Sequence, residues 1–164
     1  AIGGLSENDF ILAAKINKSS FRVYCLIGDG ECNEGAIWEA AMVAAHHKLN
    51  NLIIILDDNK LMISGFAKDI LDPLSFKDKF NAFGWNTIEI DGHSFSQIIN
   101  AFSKAYAKNQ RPTVIIANTI KGKGVSFMEN QKEWYSMLPN EEQMETAMKE
   151  LNGKIELLKK HLQK

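Results

Sequence analysis

Asp29 stands between Gly28 and Gly30, directly after the apolar run of residues 21–27. Asn59 follows a second apolar run, residues 52–56, after Asp57 and Asp58. A carboxylate and a carboxamide oxygen form a hard, oxygen-only donor set of low total charge. Two such donors are too few for Ca²⁺ by themselves. They suit Mg²⁺ when a phosphate supplies further oxygens to an octahedron. The glycines permit a tight turn and let backbone N–H groups approach an anion. Gly28, Asp29, Gly30 and Asn59 therefore point to a cradle for Mg²⁺ and a diphosphate. The competing reading of the same residues is a strand-to-helix turn shaped by Gly-Asp-Gly, with Asn59 capping a loop.

The elements around these residues decide whether the two groups can meet. Ser6 is placed to cap a helix over residues 6–17 that carries Phe10, Ile11, Leu12 and Ala14. Residues 21–27, rich in β-branched and aromatic side chains and closed by Gly28, predict a buried strand. A helix with mostly alanine on its inner positions opens at Asn33 or Glu34 and runs through Lys48. Residues 52–56 are apolar without alternation, as in a strand covered on both faces. A loop with Gly65 and Pro73 leads to a short helix over 75–83, a strand over 85–90 and an amphipathic helix over 94–107. A fourth strand covers 113–118, residues 121–124 form a Gly-Lys loop, and Asn140 caps a polar helix running to the end. Strands alternating with helices give βαβ units, hence an α/β fold of three αβα layers around a mostly parallel sheet. Ligands in such sheets bind beyond the carboxyl ends of the strands, where both Asp29 and Asn59 lie.

At 164 residues the chain is expected to form one domain. Nineteen basic against twenty acidic residues leave no overall field favouring nucleic acid or a membrane surface. Any anion must be bound locally. Cys25 and Cys32 lack the spacing of a zinc site or of a disulfide framework, and two such thiols suit a reducing cytoplasm. No apolar run reaches the ~18 residues needed to cross a bilayer. The chain begins Ala1-Ile2-Gly3-Gly4 without an initiator methionine, so a truncated or partial N-terminus is expected.

The wording around the two polar groups resembles the transketolase family. It includes Gly28-Asp29-Gly30-Glu31, Glu34-Gly35, Trp38-Glu39-Ala40-Ala41, Ala45-His46-His47-Lys48-Leu49 and Asp58-Asn59-Lys60-Leu61. Asp91-Gly92-His93 and the run from Lys121 to Glu129 belong to the same likeness, which extends over residues ~12 to 140. The resemblance implies a thiamine diphosphate-binding fold of the type that holds the diphosphate. Asp29, the Asn59 side chain and the Leu61 carbonyl would bind Mg²⁺. Gly28, Gly30 and Glu31 would shape the diphosphate cradle, Ile63 would touch the cofactor's rings, and Lys121 would attract phosphate. Glu34 resembles the family's buried interface glutamate, which faces the activating carboxylate of a partner domain.

Two departures are visible. Family members carry a Gly-rich, histidine-containing loop where this chain reads Ala1-Ile2-Gly3-Gly4-Leu5-Ser6, and often Trp-His-Gly where it reads Trp134-Tyr135-Ser136. Tyr135 could hydrogen-bond a substrate oxygen, but a phenol of pKa about 10 is a poor proton shuttle at neutral pH. The family's pyrimidine-binding domain has no counterpart in these residues. The expectation is thus a diphosphate-binding transketolase component that works in a homo- or hetero-oligomer with a pyrimidine-binding subunit. Its reaction would move a two-carbon ketol unit between sugar phosphates. A thiamine diphosphate-dependent acyl or ketol transferase of specialised biosynthesis, and a degenerate non-catalytic scaffold, are the alternatives.

Overall fold

A computed structural model describes residues 21–107 and 110–162. The helix expected over residues 6–17 lies outside them. In chain order the elements are β1 (Val23–Gly28), a 3₁₀ turn (Glu31–Asn33), α1 (Gly35–His46), β2 (Leu52–Asp58), β3 (Leu61–Met62) and β4 (Gly65–Phe66). There follow α2 (Ala67–Ile70), α3 (Phe76–Ala82), β5 (Asn86–Asp91), α4 (Phe95–Ala105), β6 (Thr113–Asn118), a 3₁₀ turn (Lys132–Tyr135) and α5 (Glu141–Leu162).

The four long strands form one parallel sheet in the order β1-β2-β6-β5. Alternate side chains of each strand serve opposite faces. On one face Ile27, Leu52, Ile54, Leu56, Val114 and Ile116 pack against Ile37, Ala40, Ala41 and Ala44 of α1 and Phe76 and Phe80 of α3. On the other, Ile53, Ile90, Ile115 and Ala117 meet Ala101 and Ala105 of α4. These are the three layers that the alternation of strands and helices predicts. The alanines let α1 lie close to the sheet, and the space beside them is filled by Trp85. Its indole is buried against Phe80 and donates Nε1–H to the Ala41 carbonyl at 2.9 Å. Truncating Trp85 to alanine would cost about 3–5 kcal/mol.

Element boundaries depart from the sequence reading where polar groups intervene. α1 begins at Gly35 because residues 31–33 form a 3₁₀ turn that buries Cys32. β2 runs two residues past the apolar stretch, since Asp57 and Asp58 keep pairing with Gly28 and with Ala117 and Asn118. The loop expected after residue 58 contains the β3–β4 hairpin and the four-residue α2. Pairs of that length carry no periodicity to read. Caps agree closely: Ser75 accepts from Asp78 N–H, Ser94 from Gln97 N–H, and Asn140 with Gln143 forms a reciprocal pair of 2.9 and 3.0 Å.

Candidate cofactor-binding site

The register of the sheet sets Gly28 beside Asp57, and Asp29 N–H continues the ladder to the Asp57 carbonyl at 3.1 Å. The chain then turns. Cys32 N–H reaches the Asp29 carbonyl and Asn33 N–H the Gly30 carbonyl, both at 3.2 Å. Gly30 lies in the right-handed helical region at φ −64°, so the tight turn is made without left-handed backbone angles. What Gly28 contributes is vacancy: a Cβ there would meet no protein atom within 4 Å.

The carboxylate of Asp29 is 2% exposed. Its Oδ1 accepts the Gly30 N–H at 2.7 Å, while its Oδ2 is buried without a hydrogen-bond partner. Burial pushes the Asp29 carboxyl above its ordinary pKa, and the negative charges of Asp58 and Asp57 add to the rise. A buried, half-satisfied carboxylate is costly unless something charged completes its shell.

Across the strand tips, Asn59 Nδ2 donates to Asp57 Oδ2 at 3.2 Å, and Asn59 Oδ1 accepts Leu61 N–H at 2.9 Å. Thr119, just past the end of β6, donates its hydroxyl to Asp57 Oδ1. Asp58, buried on the other face, forms an ion pair with Lys60, whose backbone takes a left-handed φ of 64°. The amide of Asn59 is thereby oriented from two sides, and its oxygen keeps one lone pair for a further partner. Asp57, Asp58 and Lys60 appear in the sequence reading only as neighbours of Asn59 without a role, and Thr119 does not appear in it. The rule that ligands gather at carboxyl strand ends applies to β6 as much as to β1 and β2, and would have found Thr119.

One cavity of about 700 Å³ is lined by Gly28, Asp29, Gly30, Glu31, Glu34, Asn59, Leu61, Ile63 and Tyr135. Met62 and Ser64 complete its wall. Its size is in the range of small-molecule sites. All the predicted site residues except Lys121 meet there. Lys121 lines a neighbouring cavity of about 520 Å³ that also includes Asn59, and its ammonium sits 4.9 Å from the centre of the Tyr135 ring. Ile63 and Tyr135 are exposed on the rim. Glu34 is exposed as well, at the N-terminus of α1, and not buried in this chain by itself. Glu31 turns back so that its Oε2 accepts Gly28 N–H at 3.1 Å.

Asp29, Asn59 and Leu61 all line this cavity, so the hard donors these residues can offer are a carboxylate, an amide oxygen and a backbone carbonyl. That set fits Mg²⁺ completed by phosphate oxygens. No group of three or more His, Cys, Asp or Glu placed to hold a metal occurs among the described residues. The fit therefore requires an anionic co-ligand. His93 uses Nε2 to accept Ile120 N–H at 2.8 Å, fixing the loop that leads to Lys121. Gly122, at φ 73°, brings that loop so near Met128 that a Cβ would lie 2.4 Å from its carbonyl oxygen. Among the described residues no helix is long and apolar enough to cross a membrane, and neither Cys25 nor Cys32 is in a disulfide.

Comparison with known proteins is consistent with this geometry. The model of the family described as transketolase, thiamine diphosphate binding domain, matches residues 2–154. A subunit of the apulose-4-phosphate transketolase of Phocaeicola vulgatus is 42% identical over 149 residues, covering 91% of this chain and 53% of that protein. The 6-deoxy-6-sulfo-D-fructose transketolase subunit SqwG of a Clostridium species is 42% identical over 142 residues, covering 85% and 51%. The chain thus spans about half the length of these relatives. The crystal structure of transketolase from Campylobacter jejuni matches at a TM-score of 0.79 and 33% identity, over 87% of this chain and 23% of that one. The chain belongs to the transketolase thiamine diphosphate-binding domain family.

Proposed function

We propose that this chain is the Mg²⁺- and diphosphate-binding component of a transketolase-like enzyme, completed by a subunit that binds the cofactor's pyrimidine. The observation that carries the reading is the buried, unpartnered Oδ2 of Asp29 in a cavity shared with Asn59 and Leu61. Asp29, the Asn59 amide oxygen and the Leu61 carbonyl hold the metal. Gly28 leaves room for the diphosphate, and the Gly30 N–H, now on Asp29 Oδ1, is positioned to turn to a phosphate oxygen. Ile63 offers an apolar rim to the cofactor's rings. Glu34, exposed here, meets the activating carboxylate once the partner covers it. Thiamine diphosphate, once bound, supplies the electron sink through which a two-carbon ketol unit passes between sugar phosphates.

Tyr135 donates its phenol hydrogen to a substrate oxygen, and Lys121 beside it draws the substrate's or cofactor's phosphate toward the cavity. A reducing cytoplasm is the compartment that suits two cysteines outside any disulfide. A second reading, a ketol or acyl transferase of specialised biosynthesis, is favoured by Tyr135 in place of the family's histidine. The two relatives named for different sugars add to it. Calorimetric titration of thiamine diphosphate with Mg²⁺ into wild type and Asp29→Ala tests the cofactor role. Equal affinities reject it. A donor screen with the reconstituted pair of subunits separates the two readings, because strong turnover of xylulose 5-phosphate rejects the specialised one. Tight cofactor binding with no turnover beside the encoded partner marks a scaffold instead.

A further inference from the structure

Lys121 and Tyr135 stand together beside the cofactor cavity, yet they are the two ends of one loop, residues 121–135. The loop is closed on itself where Asn130 N–H reaches the Lys121 carbonyl at 3.0 Å. Farther along, the Phe127 carbonyl accepts the Nε1–H of Trp134 at 3.1 Å, and the two rings meet edge-on with centres 5.4 Å apart. Phe127 therefore sets Trp134, and Tyr135 is the next residue of the same 3₁₀ turn.

What sets Phe127 comes from α5. Ser126 donates both its N–H and its hydroxyl to the Glu150 carboxylate, at 2.7 and 2.5 Å, one to each oxygen. One helical turn on, Lys154 donates to the Gly124 carbonyl at 2.7 Å. Between them Leu151 packs on Gly124, where a Cβ would lie 3.3 Å from the leucine Cδ2 and where a φ of 107° favours glycine. Ala147, buried, seats the helix one turn earlier. α5 thus grips Gly124 and Ser126, directly before Phe127.

We propose that Glu150 is a positioning residue for Tyr135, aiming its phenol through Ser126, Phe127 and Trp134. That the phenol meets a substrate rests on the function proposed above. Two donors of one residue on the two oxygens of one carboxylate fix direction as well as position. The Lys123–Glu129 pair of the same loop, a single contact at 3.5 Å, is of the weak kind. The Ser126 hydroxyl and N–H also hold the Glu150 carboxyl below its ordinary pKa, so the grip keeps its charge in mildly acidic solution. Tyr135 is 57% exposed, so the backbone of its turn must supply the aim that packing does not. A phenol hydrogen bond is directional, and a misplacement of about 1 Å costs up to about 100-fold. A tie meant only to fasten α5 would serve as well on any loop residue.

Fluorine NMR of the chain labelled with 3-fluorotyrosine reads Tyr135 directly, its resonance being the one lost in Tyr135→Phe while those of Tyr24 and Tyr106 remain. Wild type is expected to show it displaced from the position of an unfolded chain by the Lys121 ammonium. Glu150→Ala and Ser126→Ala each move it at least halfway back, and Ser126→Thr, which keeps both donors, leaves it in place. Circular dichroism stays that of wild type in all three. With a pyrimidine-binding subunit added, Glu150→Ala raises KM about tenfold for xylulose 5-phosphate, or for the donor that the screen above identifies. Thiamine diphosphate affinity is unchanged and kcat stays within about twofold. Added to Tyr135→Phe, Glu150→Ala causes no further loss, because both act on one contact. A Tyr135 resonance indifferent to Glu150→Ala, or KM losses that add, overturns the proposal. A pair of subunits without turnover counts against the function proposed above, while the fluorine signal, read without cofactor or partner, still decides the role of Glu150.

Discussion

Asp57 and Asp29 sit on adjacent strands one register step apart, yet they live in opposite circumstances. Asp57 has both oxygens occupied, one by the Thr119 hydroxyl and one by the Asn59 amide. Asp29 has one oxygen on the Gly30 N–H and the other buried with no partner. The first carboxylate is finished within the chain and serves to aim its neighbours. The second is left incomplete, at a cost in stability, in a residue that lines a cavity large enough for a cofactor. Asp58 also keeps one buried oxygen without a partner, but its other oxygen is held by Lys60; Asp29 is the one of the two that lines the cavity.

The largest expected effect breaks that contrast at its open end. Asp29→Ala should weaken Mg²⁺-dependent thiamine diphosphate binding by more than about 100-fold, beyond the 10–100-fold typical of outer-shell partners. Calorimetry in the presence and absence of Mg²⁺ reads this directly, and a loss below tenfold would make Asp29 another structural acid. Asp57→Ala should do something different. It leaves the Thr119 hydroxyl and the Asn59 amide without their acceptor, costing about 1–3 kcal/mol of stability. Thermal unfolding should show a midpoint lower by several degrees. Cofactor affinity should fall only about 10–100-fold, through the loosened Asn59.

A smaller effect follows from the raised pKa of Asp29. A carboxyl whose folded pKa lies above its unfolded value contributes stability below that unfolded value, and the contribution is lost as pH rises through the folded pKa. At neutral pH the cofactor-free chain therefore carries the cost of a buried charge. Asp29→Asn should raise its unfolding midpoint at pH 7, and the gain should fade as the pH is lowered toward 4. An unchanged or lowered midpoint at pH 7 would mean that the orphaned oxygen is not costly. Smallest of all is the test at Cys32, a thiol that burial pushes from 9.0 to about 12. Its contribution to stability is full below pH 9 and is lost between about 9 and 12. Native protein should leave Cys32 unalkylated by iodoacetamide at pH 8.5, with modification tracking unfolding; rapid labelling of the folded chain would place the 3₁₀ turn of residues 31–33 in the open.

Much of this arrangement is legible in the sequence because it rests on periodicity. The unbroken apolar run before Asp57, the Ala-rich α1 and the caps at Ser75, Ser94 and Asn140 follow from local rules, and they bring Asp29 and Asn59 to neighbouring strand tips. Short pairings are not legible. The β3–β4 hairpin depends on the left-handed Lys60 and on Asn59 Oδ1 receiving Leu61 N–H, contacts that no hydropathy pattern encodes. The role of Thr119 depends on β6 lying next to β2, a matter of strand order and not of spacing. Gly30 shows the limit from another side. A glycine in a signature suggests unusual backbone angles, while here its backbone is ordinary and a Cβ on Gly30 would instead crowd Met62 Cγ at 3.2 Å. Glu34, likened to a buried interface glutamate, is exposed in this chain, and the sequence of one chain does not say what covers a surface side chain.

Electron paramagnetic resonance of Mn²⁺, standing in for Mg²⁺, probes the open carboxylate most directly. With thiamine diphosphate present, wild type and Asp57→Asn should both extinguish the free-ion signal as protein is added, while Asp29→Asn leaves it nearly intact. Equal quenching by Asp29→Asn and wild type would contradict the assignment of Asp29 as the ligand on which the cofactor site depends.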